Sequence, residues 1–300
     1  MKKFQGIILA LISSATFGFI PLFSIPLLKS GIELNSVCFY RFAFASFFMF
    51  LICKMKKVSL KMTRKELVTM ALLSIFYAAT SFFLTASYRF ISSGTATTIH
   101  FFYPVVVACV MMLIFKEKAS LLKIGAICLG IAGVFFLSGS GDGGGISMKG
   151  VLLVLVTIIT YPTYIVGVNR SPATMQMNGM KMTFYVLFFS AIILFVNVLA
   201  HGAHFSPLTT GSHWINAICL AIIPTLVSDF ALIYAVQKVG STITAILGCM
   251  EPLVAVVNGI IFFREKFSMT EGIGMALVFA AVFIIILQQN KEKSSSTTTA

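Results

Sequence analysis

The sequence predicts an all-α polytopic membrane protein in which ten transmembrane helices form two inverted five-helix repeats. Composition is the first reason, because 58% of the 300 residues are hydrophobic and 10% are charged, whereas a soluble domain carries about 25% charged residues. The second reason is a duplication. A shift of 148 residues places Pro104 on Pro252 and Glu117 on Glu265, each followed by a further apolar run. A repeated hydrophobic unit of this size predicts a bundle built from two copies.

Ten apolar stretches follow one another along the chain, each long enough to cross about 30 Å of hydrocarbon. We predict helices 1 to 10 at 5–26, 35–53, 67–88, 94–115, 120–138, 149–168, 179–199, 214–236, 242–263 and 269–288. The first repeat is then 1–138, a Gly-rich linker 139–148, the second repeat 149–288, and a polar tail, expected to be disordered, 289–300. No A-x-A-like cleavage site follows the basic start, so we interpret residues 1–22 as a membrane helix rather than a signal peptide.

The distribution of Lys and Arg predicts the orientation of the helices. With a cytoplasmic N-terminus, 16 of the 22 basic residues fall on the cytoplasmic side, five on the outer side, and Arg41 within helix 2. Basic residues prefer cytoplasmic loops, so we expect both termini in the cytoplasm. Because five helices is an odd number, the second repeat must enter the membrane inverted relative to the first.

Several other classes of partner and cofactor are not expected. The formal charge of +13 would suit a nucleic-acid partner, but the basic residues cluster in loops. The six cysteines lack metal-ligand spacing, and His201 and His204 have no carboxylate or cysteine near them, so we predict no metal site. A G-x-G-x-x-G match beginning at Gly139 follows a membrane helix rather than a strand, which argues against a dinucleotide cofactor.

Two short matches bear on enzyme chemistry. Ser120-x-x-Lys123 opens helix 5, where a helix cap and a cytoplasmic charge explain both residues. His201-x-x-His204 lies in a loop without a general base. The ionisable residues inside helices 4, 8 and 9 stand singly, whereas an active site needs clustered groups. We therefore predict that the protein is not an enzyme.

The ten-helix count, the five-plus-five duplication and the proline thirteen residues before glutamate in both repeats resemble the EamA-type branch of the drug/metabolite transporter superfamily. Glycines after each charged turn extend the resemblance, which covers residues 4–288: Gly125, Gly130, Gly133, Gly272 and Gly274. It implies a transporter of small solutes, since members export amino acids, other metabolites and drugs. The chain departs from the family pattern, in which an aromatic residue, often Trp, precedes glycine: helix 1 has Phe17-Gly18 and helix 6 has Tyr161-Pro162 at that place, and we expect this to affect the cavity more than the fold.

Helix 9 carries the residue most suggestive of chemistry, Glu251, next to Pro252 near the predicted middle of the bilayer. A charge at that depth costs about 2.5–3.5 kcal/mol on insertion scales, so it should face a partner or a wet cavity. Helical spacing places Thr244 and Asn258 on the same face. Two interpretations stay open: Glu251 pairs with a substrate amine or exchanges a proton, or it is a protonated carboxyl hydrogen-bonded between helices.

Further candidates for the cavity lie on helices 3, 4, 6 and 8. His100 in helix 4 shares a face with Thr97 and Pro104 and could bind substrate, titrate, or simply satisfy a neighbouring helix. Asp229 in helix 8 is a second intramembrane carboxyl open to the same interpretations. The remaining candidates are hydroxyl-bearing side chains that could line a pathway or bridge helices, Tyr77, Ser81, Tyr103 and Tyr161. Pro104, Pro252 and Pro162 are expected to loosen their helices.

Arg41 lies about two turns into helix 2, and we expect its side chain to reach the outer interface by snorkelling.

These features predict a secondary transporter, exporting small metabolites such as amino acids by alternating access through a central cavity between the repeats. The alternatives are export of hydrophobic drugs, carriage of nucleotide-linked sugars, and a channel, whose pore would also carry Ser, Thr and Asn. No cofactor is expected, although Glu251 and His100 would allow proton coupling. The expected partners are the solute and the bilayer of a bacterial-type cytoplasmic membrane, and both a monomer and a homodimer fit the sequence.

Overall fold

The computed structural model describes residues 2–91, 93–116, 121–138, 147–200, 205–263, 269–270, 272–274, 276–277, 279–281 and 283–284. Within these residues the secondary structure is helical and no strand occurs. The Gly-rich linker over 139–146, the tail 289–300, the two turn glutamates Glu117 and Glu265, and His201 and His204 lie outside the described residues.

Six described helices are long and apolar enough to cross a membrane: Lys3–Lys29, Leu34–Met55, Arg64–Ser87, Met148–Arg170, Gly179–Ala200 and Gly211–Val239. Four shorter apolar helices accompany them: Tyr103–Leu113, Ile124–Gly133, Ser241–Val254 and Gly272–Ala281. The long apolar helices make the chain an integral membrane protein, because each exceeds the length that roughly 30 Å of hydrocarbon requires.

The helices are numbered here in chain order. The first half contains α1 (Lys2–Phe17), α2 (Ile20–Lys29), α3 (Leu34–Met55), α4 (Arg64–Ser87), α5 (Ser93–His100), α6 (Tyr103–Leu113) and α7 (Leu121–Ser138). The second half contains α8 (Met148–Arg170), α9 (Pro172–Met175), α10 (Gly179–Ala200), α11 (Gly211–Ala221), α12 (Ser228–Val239), α13 (Ser241–Leu247) and α14 (Met250–Phe263). A π-helical turn, Ile222–Val227, joins α11 to α12.

Four segments predicted as continuous helices are interrupted, and a proline accounts for each interruption. Pro21, Pro104 and Pro252 follow the breaks between α1 and α2, α5 and α6, and α13 and α14, while Pro224 lies inside the π-helical turn. Proline lacks an N–H and its ring clashes with the carbonyl four residues earlier, so the preceding helix ends near that carbonyl. Pro162 differs, because it lies inside the uninterrupted α8.

The carbonyls freed by two of these prolines find partners inside the bundle. The Thr225 hydroxyl donates to the carbonyl of Leu220 at 2.7 Å, four residues before Pro224. The Ser14 hydroxyl donates to the carbonyl of Gly248 at 2.9 Å, four residues before Pro252. The hydrocarbon core contains no water that could donate to these carbonyls, so side-chain hydroxyls donate to them instead.

The most extensive helix contacts join the two halves of the chain. α1 packs against α12, α4 against α8, and α3 against α10. The duplication relates α1 to α8 and α4 to α12, so the contact of α1 with α12 is equivalent to the contact of α8 with α4. The third contact, between α3 and α10, lies on the axis that relates the two halves of the chain. The core therefore lies between the halves, where Phe42, Tyr77, Tyr164, Met49 and Leu187 are fully buried.

A close approach of backbone and ring requires glycine at Gly248, next to the break before α14. A Cβ atom built there would overlap the hydroxyl of Tyr103, whereas one built at Gly125 in α7 meets nothing within 4 Å. Gly130, by contrast, faces Phe101 and Cys249 of the same chain. Gly130 thus serves packing within the chain.

We expect Gly248→Ala to lower the free energy of unfolding by about 1–3 kcal/mol, the usual cost of overpacking a core. Unfolding in mixed detergent micelles, followed by circular dichroism, measures the change. Gly125→Ala is the matched control and should leave stability unchanged or slightly raised. Adding Tyr103→Phe should recover part of the loss, because the overlapping hydroxyl is then absent. Equal stability of the two alanine variants would contradict the packing argument.

Candidate functional site

All ten side chains predicted to line the cavity are in the interior of the protein, and none is more than 7% exposed. They are Glu251, His100, Tyr161, Tyr77, Ser81, Asp229, Thr97, Thr244, Asn258 and Tyr103. Pro104, Pro162 and Pro252 are buried as well. Polar groups so deep in an apolar bundle need partners, and their partners divide them into a central cluster and a set of helix-packing residues.

Aromatic rings form the frame of the central cluster. Ring centroids lie 4.8 Å apart between Tyr103 and Tyr161, 5.3 Å between Tyr161 and His100, and 4.8 Å between Tyr77 and Tyr164. Tyr161 and Tyr164 stack at 6.4 Å and join the two groups. The rings come from α4, α5, α6 and α8, so the row crosses from one half of the chain to the other.

Asp229 is the polar centre of this row. It lies in the first turn of α12, and the Tyr77 hydroxyl donates to its Oδ1 at 2.5 Å. Its Oδ2 and the Tyr164 hydroxyl are buried and have no hydrogen-bond partner among the described residues. Buried polar atoms are nearly always hydrogen-bonded. The two atoms are therefore the unpaired polar atoms of this row among the described residues.

The prediction that Arg41 snorkels to the interface was wrong. Its side chain is 3% exposed, and it donates from Nε to the Thr225 hydroxyl at 2.6 Å and from Nη1 to the Ser81 hydroxyl at 3.0 Å. Nη2 donates to the Pro224 carbonyl at 3.4 Å, and the guanidinium lies 5.3 Å from the centre of the Phe42 ring. The π-helical turn and α4 supply these acceptors inside the bundle, so the guanidinium does not need interfacial water.

Glu251 occupies the first turn of α14, just after the break, where the helix dipole favours a negative charge. Asp229 differs, because α12 continues from the π-helical turn without a gap in the helix. Glu251 is close enough to Arg41, Tyr103 and Tyr161 for electrostatic interaction, and Asp229 interacts with Arg41 in the same way. Both carboxyls thus lie near the one guanidinium, whose hydrogen bonds go to neutral oxygens.

The remaining predicted residues bond to the helical framework. Thr244 and Thr97 donate to carbonyls four residues earlier, at 2.7 Å each. Asn258 donates to the Gly18 carbonyl at the break after α1, at 3.3 Å. Nδ1 of His100 lies 2.8 Å from the Thr157 hydroxyl, so this histidine combines a ring contact in the cluster with a bond between helices.

Sequence reasoning missed the central place of Arg41 and of the Tyr164 hydroxyl. An ionisable residue within a membrane helix is a functional candidate by default, and that signal was present at Arg41. For Tyr164 the sequence offered only a hydroxyl stripe along helix 6, because its position beside Asp229 is a tertiary contact between α8 and α12.

The repeat pattern and the packing between halves agree with a comparison to known families. A family model described as the EamA-like transporter family matches residues 4–139 and, separately, residues 148–287. The chain belongs to the EamA-like transporter family. It is accordingly a membrane transporter of small molecules and not an enzyme.

Individual relatives are distant. The chain is 22% identical over 233 residues to "Uncharacterized inner membrane transporter YicL" of Salmonella typhimurium, covering 77% of this chain and 76% of the relative. It is 23% identical over 235 residues to "Uncharacterized transporter YvbV" of Bacillus subtilis, with 77% and 75% coverage. One solved crystal structure superposes on this chain with a TM-score of 0.78 at 16% sequence identity. The superposition covers 95% of this chain and 98% of the other. The last comparison establishes the fold alone.

Tyr77 and Tyr164 allow a matched test of the cluster. Tyr77→Phe removes a donor to Asp229, and we expect it to lower the free energy of unfolding by about 1.5–3 kcal/mol, the range for hydrogen bonds to charged groups. Tyr164→Phe removes a hydroxyl without a described partner and should be neutral or stabilising. Unfolding in mixed micelles distinguishes the two. A larger loss for Tyr164→Phe would show that its hydroxyl has the more important partner.

Proposed function

We propose that this EamA-family protein is a secondary transporter that exports small metabolites such as amino acids by alternating access. The proposed binding site consists of five residues of the central cluster: Arg41, Tyr77, Tyr161, Asp229 and Glu251. The observation that carries the proposal is the burial of two carboxyls and one guanidinium between the two halves of the bundle. Charges at membrane depth are costly, so their usual place is a substrate or ion pathway.

The helix breaks support a central site. The break before α6 and the break before α14 occupy matching places in the two repeats, since a shift of 148 residues places Phe101 on Cys249. In carriers built from inverted repeats, interrupted helices turn their ends toward the substrate near the bilayer midplane. Glu251 and Tyr103, each beside one of these breaks, are at the corresponding positions here.

The same breaks support counting helices 4 and 9 as membrane crossings. A break divides helices 4 and 9 into pieces such as α6 (Tyr103–Leu113) and α14 (Met250–Phe263), which are shorter than a spanning helix. Joined across their breaks, both segments regain the length predicted from the sequence. We therefore propose two inverted repeats of five crossings each, 1–138 and 149–288, linked by 139–148.

The charges favour a zwitterionic solute. The guanidinium of Arg41 donates to three neutral oxygens, and its affinity for carboxylates makes it the proposed partner of a solute carboxylate. Asp229 and Glu251 are the proposed partners of a solute ammonium, with the tyrosine rings around it. A nucleotide-linked sugar would need more cations, and Lys181 is already paired with Glu66 at 3.1 Å. A hydrophobic drug would leave these charges without partners.

Proton coupling follows from the same count of charges. With two carboxyls and one guanidinium, one negative charge has no fixed positive partner in the cluster, so a proton is the proposed occupant of Asp229 or Glu251 when no ammonium is bound. The described conformation buries the whole cluster. A solute can reach it only when the two halves move relative to each other, which is the motion that alternating access requires.

The proposed location is the cytoplasmic membrane, with both termini and the 56–63 loop on the cytoplasmic side. The excess of basic residues on that side supports this orientation. The relative from Salmonella typhimurium is named an inner membrane transporter, which supports the location. A monomer and a homodimer both remain compatible, since Gly130 packs within the chain whereas Gly125 faces open space.

Counterflow in proteoliposomes tests the function. With a panel of amino acids preloaded, we expect saturable uptake of labelled solute, reduced about tenfold or more by Asp229→Asn and by Glu251→Gln, because each removes a charge that holds the ammonium. Glu33→Gln is the matched control, since Glu33 is an exposed carboxyl before α3. Its transport should equal that of the unchanged protein.

Each result of this assay has a defined meaning. Saturable counterflow that survives both Asp229→Asn and Glu251→Gln would support a carrier, but one whose binding site does not depend on the central cluster. Absence of counterflow for every amino acid, with uptake of a cationic drug, would overturn the proposed substrate class. Ohmic current instead of counterflow would indicate a channel. A pH gradient that drives uptake in the unchanged protein and fails in Asp229→Asn would locate the coupled proton.

Orientation is tested by labelling one cysteine at a time in a variant without the six native cysteines. Ser59→Cys, in an exposed loop, should react with a membrane-impermeant maleimide only after cells are permeabilised. Thr209→Cys, exposed before α11, should react in intact cells. Reaction of both positions in intact cells, or the reverse order, would contradict the proposed topology.

A further inference from the structure

A cavity of about 510 Å³ lies at one end of the bundle, away from the central cluster. It is formed by the loop after α3 and the loop before α10, and its charged lining consists of Lys56, Lys57, Lys61, Lys181 and Glu66. We propose that this basic pocket binds the phosphate of an anionic phospholipid headgroup. The proposal concerns a site that the transport mechanism does not use, and it holds whichever solute is carried.

The pocket has an uncompensated positive charge. Four lysines line it, against the single carboxylate of Glu66. That carboxylate is already engaged, because Oε1 accepts from Lys181 Nζ at 3.1 Å and Oε2 accepts from the Thr63 backbone N–H at 2.7 Å. Its interactions leave Lys56, Lys57 and Lys61 without a carboxylate from the lining. A phosphate is the anion that such a group of ammonium donors accommodates.

The pocket is held in shape by bonds from the surrounding helices. The Tyr185 hydroxyl donates to the Leu60 carbonyl at 2.5 Å and fixes the first loop against α10. On the other side, Gln237 donates to the Met177 carbonyl at 3.0 Å. The lysines therefore project from an ordered rim, and a ligand does not need to order the loop on binding.

Lys57 adopts a left-handed conformation, and Lys116, outside the pocket, has the same φ. Lys57 has a φ of 53° directly after the end of α3. Glycine is the usual residue at a left-handed helix end, because a Cβ is strained there. Lysine at this place accepts local strain and puts a cation on the rim of the pocket.

The surroundings favour a lipid over a soluble phosphate. Exposed apolar side chains lie on the helices next to the two loops: Met55, 81% exposed, ends α3, Met175, 62% exposed, ends α9, and Val68 near the start of α4 is 56% exposed. Acyl chains attached to a bound headgroup would lie along these side chains. The corresponding loop of the second half, residues 201–210, contains no Lys or Arg. In the proposed topology the pocket faces the cytoplasmic leaflet, which carries the anionic lipids.

A preference of basic residues for cytoplasmic loops accounts for the number of lysines here but not for a cavity among them. The discriminating experiment therefore removes equal charge inside and outside the pocket. The pocket variant combines Lys56→Gln, Lys57→Gln and Lys61→Gln. The control variant combines Lys54→Gln, Arg64→Gln and Lys65→Gln, three exposed residues of the same loop region that do not line the cavity.

Native mass spectrometry of the purified full chain, titrated with phosphatidylglycerol or phosphatidylcholine in detergent, gives the binding constants. We expect preferential binding of phosphatidylglycerol to the unchanged protein and the control variant, and binding about tenfold or more weaker in the pocket variant. Equal weakening in both variants, or no preference for phosphatidylglycerol over phosphatidylcholine, would overturn the proposal. Displacement by inorganic phosphate at equal concentration would overturn the lipid as the source of the bound phosphate.

A single substitution tests whether unfolding, rather than loss of the site, causes the weaker lipid binding. Lys57→Gly relieves the left-handed strain, so its melting temperature should be unchanged or higher, while phosphatidylglycerol binding falls severalfold. A fall in melting temperature with binding retained would contradict the role of Lys57. Amino-acid counterflow in vesicles without anionic lipid separates this proposal from the transport proposal, because failure of either assay leaves the other interpretable.

Discussion

The structure depends on how backbone carbonyls are satisfied where prolines interrupt helices inside the membrane. Hydrocarbon offers no water, so each such carbonyl needs a donor from a nearby side chain or backbone N–H. Ser14 supplies that donor to Gly248, and Thr225 supplies it to Leu220. The Pro224 carbonyl accepts from Arg41. The breaks and the polar groups around them therefore form one system, in which the loss of a donor exposes a carbonyl.

This system also explains where the charges lie. A helix that restarts inside the membrane presents free N–H groups at its new N-terminus, and these groups favour a carboxylate. Glu251 occupies such a first turn, whereas Asp229 follows the π-helical turn within a continuous helix. Arg41 is stabilised by a hydroxyl and a carbonyl of the π-helical turn and by the Ser81 hydroxyl of α4. An apolar bundle can accommodate three ionisable groups at its centre because the interrupted backbone has already made that centre polar.

The sequence was sufficient for features that depend on apolar length and on repetition. Predicted helices 2 and 7, at 35–53 and 179–199, are observed as Leu34–Met55 and Gly179–Ala200. The breaks were harder to predict, because a proline shows where a helix is weakened but not whether neighbours can satisfy the freed carbonyl. Pro162 in the continuous α8 illustrates this limit. The burial of Arg41 depended on acceptors from α4 and the π-helical turn, contacts that no local pattern contains. The roles of the ten cavity residues in transport stay predictions.

The helical scaffold is duplicated, but its ionisable side chains are not. The shift of 148 residues pairs Asp229 with Ser81, Glu251 with Tyr103, and His100 with Gly248. The two halves are thus alike in their helices and unlike in the groups that would hold a solute. A solute bound among such groups would keep one orientation relative to the membrane throughout its passage. The states open to either side would also differ in free energy, because the charges meet different surroundings in each, and a built-in preference for one resting state would follow from the sequence itself.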